Sequence, residues 1–155
     1  PYGTEALSTL RIEMGHVAGS ELDGRTTPFD TSLDGLLSKK KDFIGKRSMQ
    51  KEAFISPKRE KIVGVVPLDK KTSIPEGSYI VKDVNTKLPN PKLGHVSASC
   101  WSVEYNNPFS LAIIKDGKNM IGQKLFALSP LKNKSIPVEI VSSHYVDPKG
   151  ERVRS

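Results

Sequence analysis

The sequence predicts a mainly β protein of the α+β class, with a short helical and loop segment over residues 1–56 and a C-terminal β-barrel over residues 57–155. Two observations support this prediction. The hydrophobic pattern changes near residues 56–57 from the spacing of helices to the spacing of strands. Six short runs rich in β-branched and aromatic residues then follow, with no helix-length pattern between them. We expect an antiparallel, Greek-key-like barrel, because closing the sheet removes its exposed edges.

The first predicted element is a helix that begins near Thr4 and ends at Gly15. Apolar residues recur within it at spacings of one, three and four, which indicates a single apolar face. This face consists of Ala6, Leu7, Leu10 and Met14, whereas Glu5, Arg11 and Glu13 fall outside it. We therefore expect the face, including Leu7, to be buried in the core.

Loops and a second short helix are predicted between this helix and the barrel. Residues 16–34 contain two glycines and Pro28, and they are typical of loops and turns. The three consecutive lysines at residues 39–41 are interpreted as a solvated connector. A helix is then predicted from about residue 45 to residue 54, and it ends before Pro57 because proline restricts the residue that precedes it.

The second part of the chain contains the six predicted strands. They fall within residues 61–68, 77–83, 93–105, 109–116, 123–129 and 136–145. In the third run, we assign Ser97, Ser99 and Ser102 to one face and the apolar Val96, Ala98 and Cys100 to the other. This alternation predicts a strand with one apolar face and one wet face.

The net charge of +7 is carried by the second part of the chain. Residues 58–155 hold sixteen Lys and Arg against nine Asp and Glu, whereas residues 1–57 hold eight of each kind. A basic surface of this kind suits a nucleic acid, a polyanionic tail or solubility alone. Nucleic acid is the weakest of these interpretations, because the lysines are scattered, no Arg-rich helix is visible and aromatic residues make up only 6% of the sequence. We expect no nucleic-acid partner.

The sequence also predicts a soluble, cytoplasmic protein without a membrane partner. No run approaches the ~20 apolar residues that cross a bilayer, and no secretory signal is visible. The single cysteine, Cys100, cannot form an internal disulfide, which favours a reducing compartment.

No self-contained active site is visible in the sequence. The glycine patterns of dinucleotide-binding folds, P-loops and nucleophile elbows are absent. The three histidines lack the spacing of metal ligands, so no metal site is predicted. Glu21 and Asp23 could form an acid–base pair, but carboxylates in a glycine-flanked loop more often form turns or pair with a residue such as Arg25. We therefore assign no catalytic residue.

Five segments of the chain carry a resemblance to a known family. Three of them are Leu-Arg-Ile-Glu-Met-Gly at residues 10–15, Thr-Thr-Pro at residues 26–28 and Asp-Phe-Ile-Gly-Lys at residues 42–46. The other two are GHVSASC at residues 94–100 and YVDPKGERVR at residues 145–154. In this order they resemble the aminomethyltransferase family, which includes the T-protein of the glycine cleavage system. Within that family, PYGTEALSTLRIE and SKKKDFIGK are most similar to the C-terminal part of the alpha subunit of heterotetrameric sarcosine oxidases.

The resemblance implies an enzyme in which sarcosine is oxidised at a flavin to an imine, and tetrahydrofolate captures the one-carbon unit as methylenetetrahydrofolate. It implies that residues 1–56 are the end of a folate-binding domain whose larger part precedes Pro1, and that residues 57–155 are the C-terminal barrel of that family. Flavin and NAD would bind elsewhere in the holoenzyme. The partners would be folate, the remainder of the alpha subunit and the other subunits, and we expect the fragment alone to be inactive.

The resemblance also has implications for the folate site. It implies that the carboxylates that act on folate lie upstream of this chain. Arg11, Glu13 and Arg25 are the candidate cofactor-binding residues of the chain itself. The Arg-Asp pair that T-proteins carry before the helix motif is replaced by Leu7 and Ser8, which removes a cation that faces folate.

A second departure lies after the Thr-Thr-Pro turn, where Gly35 replaces the Trp of T-proteins and removes a stacking surface. Other interpretations therefore stay open. The chain could belong to a T-protein-like aminomethyltransferase or a dimethylglycine-type demethylating enzyme. It could also be a noncatalytic module that docks other subunits.

Overall fold

The computed structural model describes residues 1–85, 91–152 and 154. Within this part of the chain, three α-helices precede the six strands of a barrel. The helices are α1 (Thr4–Glu13), α2 (Lys46–Met49) and α3 (Glu52–Ile55). The strands are β1 (Glu60–Pro67), β2 (Tyr79–Val81), β3 (Gly94–Ser102), β4 (Asn107–Lys115), β5 (Lys124–Ser129) and β6 (Lys134–Val141). None of the described helices is long and apolar enough to cross a membrane.

The six strands form a closed antiparallel barrel, which confirms the predicted fold class. Their order around the barrel is β1, β4, β3, β2, β5 and β6, and β6 pairs with β1 to complete the ring. Strands β2, β3 and β4 are consecutive neighbours, while β1 lies on the far side of β4. This placement requires a crossover of the Greek-key type rather than a simple meander.

Two apolar clusters cover the two faces of the barrel sheet. The inner cluster receives side chains from all six strands, including Val63, Val65 and Ile80. The outer cluster comprises Ile12, Ile62, Val66, Ala98, Phe109 and Leu111. Since successive side chains of a strand point to opposite faces, neighbours on β1 separate into the two clusters. Helix α1 therefore packs on the outside of the barrel, over β3 and β4.

A β-bulge in β3 alters the predicted alternation of that strand. Val96 pairs with Ala112 and Ala98 pairs with Leu111, so Ser97 is an extra residue between two consecutive pairs. The bulge places Val96 in the inner cluster and Ala98 in the outer cluster. The prediction that both residues share one face is therefore wrong.

The predicted buried face of α1 is also wrong. Leu7 and Leu10 are 54% and 53% exposed, and the buried residues of the helix are Ile12 and Glu13. The physical reason is that only the last turn of α1 lies on the barrel, where Ile12 joins the outer cluster. Leu10 and the half-buried Met14 border a separate cleft instead of joining this cluster.

The end of α1 lies against the C-terminal segment of the chain. The carbonyl oxygen of Glu13 accepts hydrogen bonds from the backbone N–H groups of Tyr145 and Val146, at 3.1 and 3.0 Å. Gly15 follows with a left-handed φ of 70°, and a Cβ at this position would lie 2.6 Å from the carbonyl oxygen of Ser143. Glycine is required here by both conformation and space.

The second predicted helix consists of two shorter ones. Helix α2 ends at Met49 and α3 begins at Glu52, because Lys51 has an extended backbone with φ and ψ of −63° and 140°. An extended residue interrupts the helical hydrogen bonds. The predicted end before Pro57 agrees with the last helical residue, Ile55.

Close packing of β3 against β4 predicts the effect of one substitution. A Cβ at Gly94 would overlap the carbonyl oxygen of Ile113 and lie 2.8 Å from the Cα of Ile114. We expect Gly94→Ala to lower the free energy of unfolding by about 1–3 kcal/mol, since overpacking forces backbone shifts. The matched control is Gly24→Ala, whose Cβ meets no atom within 4 Å. Denaturant unfolding that gives the same stability for both variants would contradict this packing.

Candidate functional site

A buried ion-pair cluster joins the N-terminal loop to the start of the barrel. The Asp30 carboxylate, 3% exposed as a residue, lies between two cations. The Arg59 guanidinium donates to it from Nε, at 3.1 Å to each oxygen, and from Nη2, at 2.6 Å to Oδ2. Lys61 Nζ donates to Oδ1 at 3.0 Å. We call Asp30, Arg59 and Lys61 the Asp30 cluster.

Local sequence explains how Asp30 reaches this position. The backbone N–H and the hydroxyl of Thr27 both donate to Asp30 Oδ2, at 3.0 and 2.9 Å, which closes a turn at Pro28. Arg59 directly precedes β1 and Lys61 is the second residue of that strand, and both side chains reach the Asp30 carboxylate. The N–H of Ile62 donates to the Asp30 carbonyl at 2.8 Å.

Arg59 connects further segments of the N-terminal region. Its Nη2 donates to the carbonyl oxygen of Arg25 at 2.8 Å, and its Nη1 donates to that of Ala53 at 3.2 Å. The guanidinium also lies 5.5 Å from the centre of the Phe54 ring, within the range of a cation–π contact. One side chain thus fixes the loop, helix α3 and the start of β1 relative to one another.

The cluster determines the charge state of Asp30. Burial alone would raise the pKa of this carboxyl group, but hydrogen bonds from Arg59, Lys61 and Thr27 outweigh burial and lower the pKa from 3.8 to about 2. Asp30 is therefore ionised at neutral pH, and the cluster carries one anion between two cations.

A cleft of about 360 Å³ opens beside the Asp30 cluster. Its walls come from the loop of residues 20–30, the segment that leads into β1, and one face of β3 and β4. The lining is polar, and it includes Arg25, Lys58, His95 and Lys115. No Phe, Tyr or Trp is among the described residues that line this cleft.

The structure separates the three predicted folate-binding residues. Arg25 lines the cleft, its side chain is 90% exposed, and its guanidinium donates to Asp23 at 2.8 and 2.5 Å. Arg11 and Glu13 do not line the cleft; they lie at the end of α1. Asp23 pairs with Arg25, which is one of the two roles predicted for the carboxylates of this loop. Glu21 takes no part in this pair.

Arg11 joins α1 to the N-terminal loop, and Glu13 joins α1 to the barrel. Arg11 Nη1 lies 3.3 Å from Glu21 Oε2, which also accepts the N–H of Ala18 at 2.9 Å. The Ser102 hydroxyl donates to Glu13 Oε1 at 2.6 Å in a buried position. The other oxygen of the fully buried Glu21, Oε1, has no hydrogen-bond partner among the described residues.

The departures from the T-protein pattern lie away from these contacts. Leu7 is on the exposed part of α1, and a Cβ at Gly35 would meet no described atom within 4 Å. Sequence reasoning did not single out Asp30, Arg59 or Lys61. Two sequence features could have indicated this cluster. One is the Thr27-to-Asp30 spacing, which is typical of a capped turn, and the other is a pair of cations on alternate residues where a strand begins.

Comparison of folds shows what kind of protein has this arrangement. The solved structure of glycine cleavage system aminomethyltransferase T from Bartonella henselae matches 92% of this chain and 38% of its own, with a TM-score of 0.68 and 19% sequence identity. The outer helix and closed barrel thus have the fold of a part of that structure. No family model matches the chain.

Comparison of sequences extends this result. The chain is 37% identical over 155 residues to the sarcosine oxidase subunit alpha of Rhizobium meliloti (strain 1021), covering 99% of this chain and 16% of the relative. It is 34% identical over 118 residues to an aminomethyltransferase of Prochlorococcus marinus (strain NATL1A), covering 74% of this chain and 29% of the relative. The chain belongs to the aminomethyltransferase family and is similar to a segment of sarcosine oxidase alpha subunits. It spans only 16% of the length of those subunits.

The pKa of Asp30 predicts a pH-dependent contribution to stability. Because the folded pKa is about 2 and the ordinary value is 3.8, the unfolded chain binds the proton first. The ionised Asp30 contributes about 2 kcal/mol to the free energy of unfolding. This contribution is fully present above about pH 4 and is lost as the pH falls toward 2. Asp30→Asn removes the titrating group and leaves two cations without their anion.

Denaturant unfolding of wild type and Asp30→Asn between pH 2 and 7 measures this contribution. The stability gap between them is expected to be largest near neutral pH and to narrow between pH 4 and pH 2. Asp69, whose pKa is also lowered to about 2 by hydrogen bonds from Thr72, titrates in both proteins and cancels from the difference. A gap that stays constant over this pH range would rule out an Asp30 carboxylate that is held ionised by its two cations.

Proposed function

We propose that the chain is the C-terminal part of a longer sarcosine oxidase alpha subunit and contributes to folate-linked one-carbon transfer. In this proposal, the imine from sarcosine oxidation at a flavin is captured by tetrahydrofolate as methylenetetrahydrofolate. The observation that carries the proposal is the 37% identity to a sarcosine oxidase alpha subunit over the whole chain. The enzyme would be a cytoplasmic heterotetramer, with residues 1–56 completing a folate-binding domain and residues 57–155 forming the barrel domain.

The chain supplies a wall of the folate site in this proposal, rather than the complete site. A cleft of about 360 Å³ without Phe, Tyr or Trp in its described lining offers no flat surface for a pterin ring. Arg25 could meet an anionic group of folate, because its exposed guanidinium lies at that cleft. Arg11 and Glu13 would act by positioning α1, since both are bonded to other residues of the chain. Flavin and NAD would be bound outside this chain.

The proposal predicts that the isolated chain does not bind tetrahydrofolate with micromolar affinity. A site that lacks two charge-assisted hydrogen bonds, at about 1.5–3 kcal/mol each, binds its ligand about two to four orders of magnitude more weakly. Calorimetric titration of the 155-residue chain should give no saturable heat, whereas the complete alpha subunit should bind one equivalent. One-to-one micromolar binding to the chain alone would place the whole site within it.

A second test uses the complete enzyme and its products. Sarcosine and tetrahydrofolate should give methylenetetrahydrofolate, and the Arg25→Ala variant should raise the KM for tetrahydrofolate while sarcosine oxidation continues. Lys124→Ala, on the exposed start of β5, is the matched control. A complete enzyme that transfers a one-carbon unit but does not oxidise sarcosine would favour the T-protein-like alternative, which the aminomethyltransferase similarity supports.

The exposed face of α1 supports docking against the remainder of the longer subunit. Tyr2, Leu7 and Leu10 are all more than half exposed, and exposed apolar groups of this kind commonly mark interfaces. We expect amide hydrogen exchange over residues 4–11 to be slower in the complete enzyme than in the isolated chain. Equal exchange in both would contradict docking on this face, while the barrel strands serve as internal controls.

A further inference from the structure

The cleft beside the Asp30 cluster has an excess of positive charge. Its lining and the cluster together contain five Lys and Arg side chains against three Asp and Glu, a formal excess of two. The five cations are Arg25, Lys58, Arg59, Lys61 and Lys115. Such a concave surface of one dominant sign concentrates ions of the opposite sign.

Two of the three carboxylates of the cleft are paired with cations of the chain. Asp30 accepts hydrogen bonds from two of the cations, and Asp23 is paired with Arg25. The third carboxylate, Glu60, lies opposite Lys115 in the β1–β4 register, but no ion pair joins their side chains in the described part of the chain. The formal excess of two positive charges therefore already includes the negative charge of Glu60.

Two cationic side chains of the cleft are available to a ligand. Within the part of the chain that the structure describes, the side chains of Lys58 and Lys115 make no hydrogen bond and no ion pair within 4 Å. His95, which pairs with Ile113 on the same wall, likewise has no side-chain hydrogen bond there. The Asp30 cluster joins the loop of Arg25 to the start of β1, so the cleft itself is formed before a ligand arrives.

We propose that this cleft is a binding site for a small dianion that carries carboxylate or phosphate groups. Two excess positive charges match two negative charges, and about 360 Å³ lies near the lower limit for small-molecule pockets, which favours a compact ligand. Lys58 and Lys115 are the principal contacts. The proposal concerns the chain by itself and does not depend on folate binding or on sarcosine oxidation.

Titration of the 155-residue chain with inorganic phosphate, succinate and acetate, followed by amide NMR at constant ionic strength, tests the proposal. We expect saturable shifts at His95 and Lys115, with at least one dianion bound about tenfold more tightly than acetate. Tight binding of phosphate alone would identify a phosphate site, and tight binding of succinate alone a dicarboxylate site. Equal affinity for acetate and both dianions would overturn the proposal.

Charge-reversal variants distinguish the cleft from general electrostatic attraction. Lys58→Glu and Lys115→Glu should each weaken dianion binding by about tenfold or more. Lys124→Glu changes the net charge equally but lies outside the cleft, and its affinity should stay within about twofold of wild type. If Lys124→Glu weakens binding as much as the cleft variants, the site is not the cleft. Circular dichroism verifies folding, and Lys→Gln variants at both positions replace any variant that fails to fold.

Discussion

The pairing of Asp30 with Arg59 and Lys61 is the constraint on which the N-terminal part of this protein depends. Residues 16–33 contain a single short 3-10 turn, centred on Ser20, and place few side chains in either apolar cluster. Their position relative to the barrel therefore rests on polar contacts. Taking Asp30 out of water costs free energy, and this cost is offset because two cations and the Thr27 turn satisfy its oxygens.

The second attachment of the N-terminal part is the end of α1. Its last turn contributes Ile12 to the outer cluster, and the carboxyl group of Glu13 accepts a hydrogen bond from Ser102 on β3. Tyr145, which follows the last strand, stacks on Phe109 at 4.3 Å and donates its N–H to the Glu13 carbonyl. The loop between these two attachments is thus fixed at both ends, and this geometry gives the cleft its shape.

Local patterns were sufficient to predict the barrel, but not the contacts that complete it. Alternating β-branched residues identify each strand, and six strands without intervening helices favour closure. The partner of Asp30 could not be predicted, because Arg59 is 29 residues away and no local pattern links the two. The Ser97 bulge is likewise set by pairing with β4. Leu7 and Leu10 have the spacing of an amphipathic helix, but spacing does not tell which surface covers them.

The resemblance to aminomethyltransferases gave information that composition and spacing did not. Residues 10–15 carry a motif of that family, and in this structure the motif forms the junction between α1 and the barrel. Residues 26–28 form the turn that presents Asp30. Both motifs therefore make structural contacts within this chain, in addition to any role that they have in folate binding by a longer subunit.

A double-mutant cycle between Asp30 and Arg59 tests the central claim most directly. The free energy of unfolding at pH 7 is measured for wild type, Asp30→Asn, Arg59→Gln and the double variant. If this pair fixes the loop to the barrel, the two changes should be strongly non-additive, with a coupling of about 1–3 kcal/mol. Additive effects, with a coupling below about 0.5 kcal/mol, would contradict the claim that this ion pair holds the N-terminal loop in place.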